Sequence, residues 1–451
     1  MKTFQDFSAA GVNQADFISR YIVEHAASIE VKTAFDANEY DAHRNVGIKR
    51  FYDAVNAANN VMRDSKAAPM ACNYFNRLNT QRCTYSLGNG VEFEQEGTKD
   101  KLGNDFDTRL KDLAYLALIH GLCFGFWNMD RLIVFPVTEF APLWDEETGA
   151  LRAGIRYWRL SPDKPLYAVL YEEDGYSKFK SDGANSDLKL YEPKRAYKQR
   201  VLSVANGEYI IGEQNYGSLP IVPMWGNKHK QSTLIGMRGQ IDNYDLILSG
   251  FADNVQDAAE IYWLVENYGG MSQNDCEKYL ERLKVQHIAN IDTSTGGKLS
   301  SYQQNVPTEA REKLLDRLHS QIYEDFGGLD VHSVEAGSTN DHLMAAYQPM
   351  DENADDFEYQ IITFVQQLLK VAGLAEDTPV FKRNRISNIT EEINAVILEA
   401  PYLDDRTILE KLPNISTDEV EKIIAAKEGE NSARFEPDNE PDEDIEEEEE
   451  G

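Results

Sequence analysis

The most constraining feature of this 451-residue chain is a line of apolar side chains at helical spacing in its second half. Its members recur every three or four residues: Ile241, Tyr244, Leu248, Phe251 and Val255. This spacing places all five on one side of an α-helix, as in the contact line of a coiled coil. We call these five residues the seam. A helix with so apolar a side needs a partner to bury it.

A second helix is predicted over Thr308–Phe326, because Pro307 precedes it and Gly327-Gly328 follows it. Proline favours the start of a helix and glycine its end. The seam is predicted to be buried either by Leu315, Leu318 and Ile322 of this helix or by a neighbouring copy. The stretch between the two helices, 260–306, has the pattern strand, helix, strand. Two helices joined by a small insertion would run antiparallel, with the insertion at their far end.

A long loop, Leu329–Gln348, leads to a third helix predicted over Asp351–Ala372. Loops of about twenty residues are uncommon in compact folds and often carry function. The helix has acidic residues in its first turns and Lys370 in its last, which complements the helix dipole. Its apolar stripe consists of Phe357, Ile361, Phe364, Val365 and Leu368.

The first half of the chain mixes helix and strand. Asn38–Ala58 suits one surface helix, and Thr84–Phe93 predicts a tight hairpin around a Gly-Asn-Gly turn. Asp105–Gly121 has the apolar face of an amphipathic helix. Between Phe124 and Tyr216, short aromatic and β-branched runs predict antiparallel strands. Because the strands are grouped rather than alternating with helices, the sequence predicts an α+β fold.

The charge of the chain limits its contacts with nucleic acid. Lys and Arg number 45 against 77 Asp and Glu, a net charge of −32. The terminal segment Glu428–Gly451 carries thirteen acidic side chains and one arginine, so we expect it to be disordered. The other 427 residues still carry −20. A protein that held DNA through its phosphates would need clustered Lys and Arg, so tight non-specific binding is disfavoured.

No catalytic constellation, cofactor motif or zinc-binding cysteine pattern occurs in the sequence. His120, on an apolar helix face, is interpreted as a core histidine. His332 and His342 near the long loop allow either a proton or metal site or simple solvation. The acids at Asp351–Asp356 allow either a divalent cation or ordinary helix-start carboxylates. A divalent-metal-dependent hydrolase therefore stays open as an alternative, although the residues favour a protein without enzymatic activity.

We expect neither a signal peptide nor a membrane span. Its first residues lack the apolar core of a signal peptide. The most apolar stretch, Leu110–Trp127, is interrupted by charged residues and is shorter than the ~20 residues that cross a bilayer. We expect no membrane partner, and four scattered cysteines indicate reduced, cytoplasmic thiols.

Four phrases of the sequence, in this order, resemble the portal proteins of tailed phages that infect Gram-positive bacteria. They are Tyr85-Ser-Leu-Gly-Asn-Gly-Val91, His120-Gly-Leu-Cys-Phe-Gly125, Phe135-Pro-Val-Thr-Glu139 with Pro142-Leu-Trp-Asp145, and Pro220-Ile-Val-Pro223 with Ile241-Asp-Asn-Tyr244. The resemblance extends over roughly Asn38–Lys427. The chain departs from the family's pattern at Ala336–His342, just before the third helix.

The resemblance implies a portal fold with named parts. These are a mixed α/β wing (1–237), a first stem helix (238–259), a small α/β clip (260–307), a second stem helix (308–328), a tunnel loop (329–348), a long wing helix (349–375), a helical crown (376–427) and an acidic tail (428–451). The tunnel-loop residues expected at a DNA channel are His332, Gly337, Ser338, Thr339, Asn340 and His342.

The resemblance also implies a function and partners. Portal proteins form a ring, usually of twelve copies, at a capsid vertex, and genome DNA passes through it during packaging and ejection. The expected partners are further copies of the chain, double-stranded DNA, terminase, head-completion or adaptor proteins at the clip, and the major capsid and scaffolding proteins. The protein would be found in the virion, and in the host cytoplasm during assembly. Another head-completion protein of the capsid is the second alternative.

Overall fold

The computed structural model describes residues 2–58, 69–95, 97–183, 187–204, 207–259, 262–266, 278, 298–302, 308–331, 340–385, 389–412, 420 and 422–426. Contacts divide the chain into two units. One comprises Met1–Leu329 with Pro349–Asn384, and the other comprises Asp330–Gln348 with Arg385–Gly451. The apolar cores described below lie in the first unit.

Helices occur on both sides of a central group of strands in the sequence. In chain order they are α1 (Phe4–Ala10), α2 (Gln14–Ala26), α3 (Ile29–Asp41), α4 (Val46–Ala58), α5 (Tyr74–Leu87), α6 (Thr98–Leu102), α7 (Phe106–His120), α8 (Leu234–Ala259), α9 (Thr308–Phe326), α10 (Asn340–Ala372), α11 (Ile389–Glu399) and α12 (Asp405–Lys411).

The strands are β1 (Val91–Phe93), β2 (Leu122–Asn128), β3 (Arg131–Pro136), β4 (Phe140–Trp144), β5 (Leu151–Trp158), β6 (Tyr167–Glu172), β7 (Gly175–Ser181), β8 (Leu188–Arg195), β9 (Lys198–Val204), β10 (Gly207–Gln214), β11 (Ile221–Trp225), β12 (Tyr262–Glu266), β13 (Lys298–Tyr302) and β14 (Pro379–Phe381). Every described pairing between them is antiparallel. The two larger sheets have the orders β4-β5-β6-β7-β8 and β11-β2-β3. The predicted α+β class and the predicted antiparallel strands are thus confirmed.

One core joins α7 and α10 to the three-stranded sheet. The predicted stripe of α10 is buried here, beside apolar residues of α7 and the sheet that include Leu110, Leu113, Ala117, Cys123, Leu132 and Val222. Gly125 in β2 allows the close approach of α10. A Cβ atom at this position would lie 2.6 Å from the ring of Phe364. The helix therefore packs directly on the strand backbone.

The five-stranded sheet is covered on both faces at its central strand β6. Successive side chains of a strand point to opposite faces, and in β6 the pair Ala168 and Leu170 faces one way while Val169 and Tyr171 face the other. The first pair packs in a cluster with α1 and α2, whose members include Phe7, Phe17, Ile18 and Ile22. The second pair packs against the three-stranded sheet, which contributes Phe124, Phe135 and Ile221.

The predicted hairpin over Thr84–Phe93 is wrong. Thr84–Leu87 belongs to α5, and the Gly-Asn-Gly stretch ends that helix instead of turning between strands. Only Val91–Phe93 is extended, and it pairs with Pro379–Phe381 rather than with a neighbour in sequence. Glycine tolerates positive φ in either setting, and Gly90 does adopt φ +74°. The Gly-Asn-Gly stretch therefore does form a turn, but the turn follows a helix instead of joining two strands.

Two further boundaries differ from those predicted. The surface helix over Asn38–Ala58 is divided, because α3 ends at Asp41 and α4 begins at Val46. The third helix begins at Asn340 instead of Asp351, with Pro349 inside it. The acidic residues from Asp351 onwards suit the start of a helix, which misplaced it. The Leu343–Ala346 stretch before Pro349 consists of strong helix formers, and the helix continues through the proline.

Two buried histidines make stability depend on pH. Burial lowers the pKa of His25 and that of His120 to about 4. His25 Nδ1 lies 3.0 Å from the Tyr157 hydroxyl, and His120 Nε2 lies 2.7 Å from Asn38 Oδ1. Both imidazoles are therefore neutral in the folded chain at neutral pH, as the core interpretation of His120 requires.

We expect the free energy of unfolding to fall as the pH is lowered from 6.5 towards 4. An unfolded histidine takes up its proton near pH 6.5, and the folded one does so only near pH 4. Each histidine should thus contribute a slope of ~1.4 kcal/mol per pH unit in this interval. Urea unfolding across the interval should show that His120→Gln removes one such slope, whereas His229→Gln at an exposed position should not. Equal slopes for both variants would contradict this account.

Candidate functional site

The two helices predicted to pair do so in antiparallel orientation. Gln240, near the start of α8, donates a hydrogen bond to Asp325 near the end of α9. In the later half of α8, the carbonyl of Gly250 accepts a bond of 3.4 Å from Arg311, near the start of α9. The guanidinium of Arg311 also lies 5.9 Å from the ring centre of Phe251. The contacts thus pair the start of each helix with the end of the other.

The residues predicted for this packing differ in burial. Ile241 and Ile322 are completely buried in one apolar cluster, and Tyr244 packs against it. Four others are half-buried: Leu248, Phe251, Leu315 and Leu318. Val255 is 47% exposed. Within one copy of the chain, burial of the seam therefore decreases from the start of α8 towards its end.

Helix α5 supplies a contact that the sequence analysis missed. The ring of Tyr74 lies 5.0 Å from that of Tyr244 and 6.1 Å from that of Tyr323. Its hydroxyl lies 2.6 Å from His319 Nδ1, and burial raises the pKa of Tyr74 above its usual range. In α9, the apolar spacing that predicted Leu315, Leu318 and Ile322 could also have identified Tyr323 and Phe326. No local signal connects Tyr74 with residues about 170 or more positions away.

A second side of α8 is polar and binds the N-terminal region. Asp245 is completely buried. Its carboxylate accepts a hydrogen bond of 2.8 Å from the Cys72 backbone N–H and one of 2.6 Å from Asn45 Nδ2. Burial is the largest influence on this carboxyl group and raises its pKa, against the lowering effect of the two hydrogen bonds. The carboxylate thus holds two separate segments against α8.

Further polar residues of α8 continue this contact along the helix. Asp242 accepts a hydrogen bond from the Tyr40 hydroxyl. Ser249 accepts one of 2.9 Å from the Met70 N–H, and Asp253 accepts one of 2.8 Å from the Tyr52 hydroxyl. Their spacing of three to four residues keeps them on one side of the helix. Helix α8 is therefore packed by α9 on its seam and by parts of residues 40–72 on its polar side.

The expected DNA-channel residues fall partly outside the described structure. Four of them lie outside the described residues: His332, Gly337, Ser338 and Thr339. Asn340 is the first residue of α10, and His342 is exposed on that helix. Placing these two in the loop was wrong, because the third helix was predicted to begin at Asp351.

Apart from residue 278, the predicted insertion between α8 and α9 is described only at its two ends. There β12 and β13 pair antiparallel, with Tyr262 opposite Tyr302 and Glu266 opposite Lys298. This strand pair connects the end of α8 with the start of α9. Apart from residue 278, the predicted helix over 272–284 lies outside the described residues, as does the acidic tail 428–451.

Two of the acidic residues considered for a divalent cation, Asp351 and Asp355, pair with Arg383. Its guanidinium forms ion pairs with Asp351 at 2.9 Å, with Glu358 at 2.8 Å and with Asp355. Over the described ranges, no group of three or more His, Cys, Asp or Glu could hold a metal ion. Over the same ranges, no helix is long and apolar enough to cross a membrane.

Comparison of the amino-acid sequence with known proteins identifies a family. A family model described as "Phage portal protein, SPP1 Gp6-like" matches residues 32–433. The portal protein of Clostridium phage phiCD119 is 25% identical over 362 residues, covering 75% of this chain and 78% of the relative. That of Bacillus phage SPP1 is 21% identical over 393 residues, covering 77% and 73%. The chain therefore belongs to the SPP1 Gp6-like family of phage portal proteins.

Proposed function

We propose that this protein forms a ring at a capsid vertex and that genome DNA passes through the ring during packaging and ejection. The observation that carries the proposal is the antiparallel pair α8 and α9, joined at one end by the β12–β13 strands, in a chain of the portal family. The protein has a structural role in this proposal and no catalytic one. We propose twelve copies per ring.

We assign the named parts of the portal to this chain as follows. The wing comprises 1–237 with the long wing helix 349–375, the stem comprises 238–259 and 308–328, the clip comprises 260–307, the tunnel loop lies within 329–348, and the crown comprises 376–427. The partly exposed end of the seam, around Val255, supports this assignment. Apolar side chains left uncovered in one copy are available to a neighbouring copy.

The charge of the chain fits a channel better than a DNA clamp. Affinity for DNA comes mainly from Lys and Arg that neutralise phosphates and release counterions. A chain with a net charge of −20 even without its tail 428–451 offers little of this, so the duplex can slide. We propose that direct contact is confined to the tunnel loop, at His332, Gly337, Ser338 and Thr339, with Asn340 and His342 at the start of α10.

The proposed partners follow from this position in the virion. Terminase would dock on the ring during packaging, and head-completion or adaptor proteins would bind the clip afterwards. The major capsid and scaffolding proteins would surround the ring at the vertex. The protein would therefore occur in the host cytoplasm during assembly and in the mature virion.

Electron microscopy of the purified chain tests the ring directly. We expect closed rings with a central hole in negative stain, and a mass close to twelve times 51.2 kDa by native mass spectrometry. The Val255→Asp variant should weaken ring formation while leaving the fold of one copy intact, because this side chain is 47% exposed. A wild-type protein that stays monomeric at all concentrations would contradict the proposal.

A further inference from the structure

A glutamine side chain holds the backbone at the point where the chain leaves the α9 region. Gln81 Nε2 donates a hydrogen bond of 2.8 Å to the Leu329 carbonyl, and the Leu329 N–H donates one of 3.0 Å to Gln81 Oε1. The Gln81 side chain thus satisfies both the backbone N–H and the backbone carbonyl of the buried Leu329. Leu329 is the last residue before the segment 330–348.

The end of α9 is fixed by its own cap and by an arginine. The Gly327 N–H bonds the Glu324 carbonyl at 3.1 Å, and the Gly328 N–H bonds the Tyr323 carbonyl at 2.9 Å. Gly327 has φ +63°, which glycine adopts without strain. Arg82 Nη2 donates to the Phe326 carbonyl at 2.9 Å, and its guanidinium lies 4.3 Å from the Phe326 ring centre.

An asparagine of α10 joins this end to the far end of the same segment. Asn353 Nδ2 donates to the Phe326 carbonyl at 3.2 Å and to the Pro349 carbonyl at 3.0 Å. A Cβ atom on Gly327 would lie 2.1 Å from that nitrogen, so the contact needs glycine here. Asn353 therefore ties the end of α9, just before 330–348, to Pro349, just after it.

We propose that Gln81, Arg82 and Asn353, which we call the anchor, are positioning residues for the segment 330–348. By holding Leu329 and Pro349 in one cluster, the anchor fixes where this segment begins, after the stem helix α9, and where it ends, at Pro349 within α10. The consequence for DNA rests on the proposed function, in which this segment is the tunnel loop. There the anchor sets the position of the loop in the channel, although none of its members contacts DNA.

Hydrogen exchange on the purified full-length protein tests the anchor without reference to DNA. In Gln81→Ala the Leu329 N–H loses its acceptor, so we expect exchange in a peptide covering 327–331 to become about tenfold faster. The matched control is Gln5→Ala. Gln5 also uses Nε2 and Oε1 to hold a distant segment, by bonds of 3.1 Å to Asp145 and 3.2 Å from the Glu146 N–H.

Asn353→Ala is the second variant, in case Gln81→Ala folds poorly, and it should raise exchange at the same peptide. Peptides of α7 should exchange as in the wild type in all three variants, which separates a local effect from general destabilisation. Unchanged exchange over 327–331 in both anchor variants would overturn the proposal.

Complementation of a phage that lacks its own copy tests the consequence for DNA. Gln81→Ala should assemble rings in normal yield and reduce full-genome particles at least about tenfold relative to Gln5→Ala. Faster exchange combined with normal particle yield would keep the anchor but overturn the role of the loop in packaging. Loss of rings in Gln81→Ala would show that these residues act in assembly instead, which also contradicts a positioning role.

Discussion

Ile241→Asp is expected to unfold the region where α8 and α9 meet and to abolish ring formation. Ile241 is completely buried among apolar residues that include Met237, Ile322 and Tyr323. Removing a buried isoleucine side chain costs ~2–5 kcal/mol. Burying an unpaired carboxylate adds several kcal/mol more. The sum approaches the whole stability of an ordinary domain, ~5–15 kcal/mol. Urea unfolding and size-exclusion chromatography would measure both effects.

Two other seam positions serve as controls for this variant. Val255→Asp should change the free energy of unfolding by less than ~1 kcal/mol, because the side chain is 47% exposed. Phe251→Asp should lie between the two, since Phe251 is half-buried and Arg311 is close enough to face the new carboxylate. An Ile241→Asp protein with the wild-type urea midpoint would show that this cluster does not support the fold.

The sequence could predict α8 and α9 because their apolar spacing is local and repeats over several turns. It could not rank the seam positions by burial. The residues that bury Ile241 include Tyr74 and Ile322, which lie far away in sequence. The polar side of α8 was missed for the same reason. An aspartate at position 245 looks solvated until Asn45 and Cys72 are brought to it by the fold.

Some of the candidate channel residues were misplaced for a different reason. The acids from Asp351 onwards favoured a helix start there, and the helix formers Leu343–Ala346 before Pro349 were not included in the helix. The anchor was not predicted at all, because a glutamine that pairs with a distant backbone has no pattern of its own. The strand at Val91–Phe93 was recognised as extended, but its partner, Pro379–Phe381, is set by the overall fold.

Arg383 is held by a cluster of carboxylates on α10. It pairs with Glu358 through Nε at 3.0 Å and Nη2 at 2.8 Å, and with Asp351 through Nη1 at 2.9 Å. The side chains of Glu358 and Asp351 are only 11% and 23% exposed. Tyr85 also donates to Asp351 at 2.6 Å, and its carbonyl accepts the Asn384 N–H at 2.9 Å. The guanidinium thus neutralises charges that water reaches poorly.

Arg383→Ala is expected to lower the free energy of unfolding by ~3–5 kcal/mol, because breaking a buried ion pair leaves its carboxylates uncompensated. Arg383→Lys should recover only part of the loss, since an ammonium cannot bind Glu358 through two parallel hydrogen bonds. The control is Arg109→Ala, which removes an exposed pair with Asp105 and should cost ~0.5 kcal/mol or less. All three variants can be compared by urea unfolding of the full chain.

A second substitution decides whether repulsion among the carboxylates causes the loss. Adding Glu358→Gln to Arg383→Ala removes the most buried of the uncompensated charges, so the double variant should be more stable than Arg383→Ala alone. Glu358→Gln by itself should destabilise the wild type, because it weakens the pair with Arg383. If the two substitutions are simply additive, the carboxylates are not coupled through Arg383. The loss in Arg383→Ala would then come from the contacts of its side chain rather than from charge.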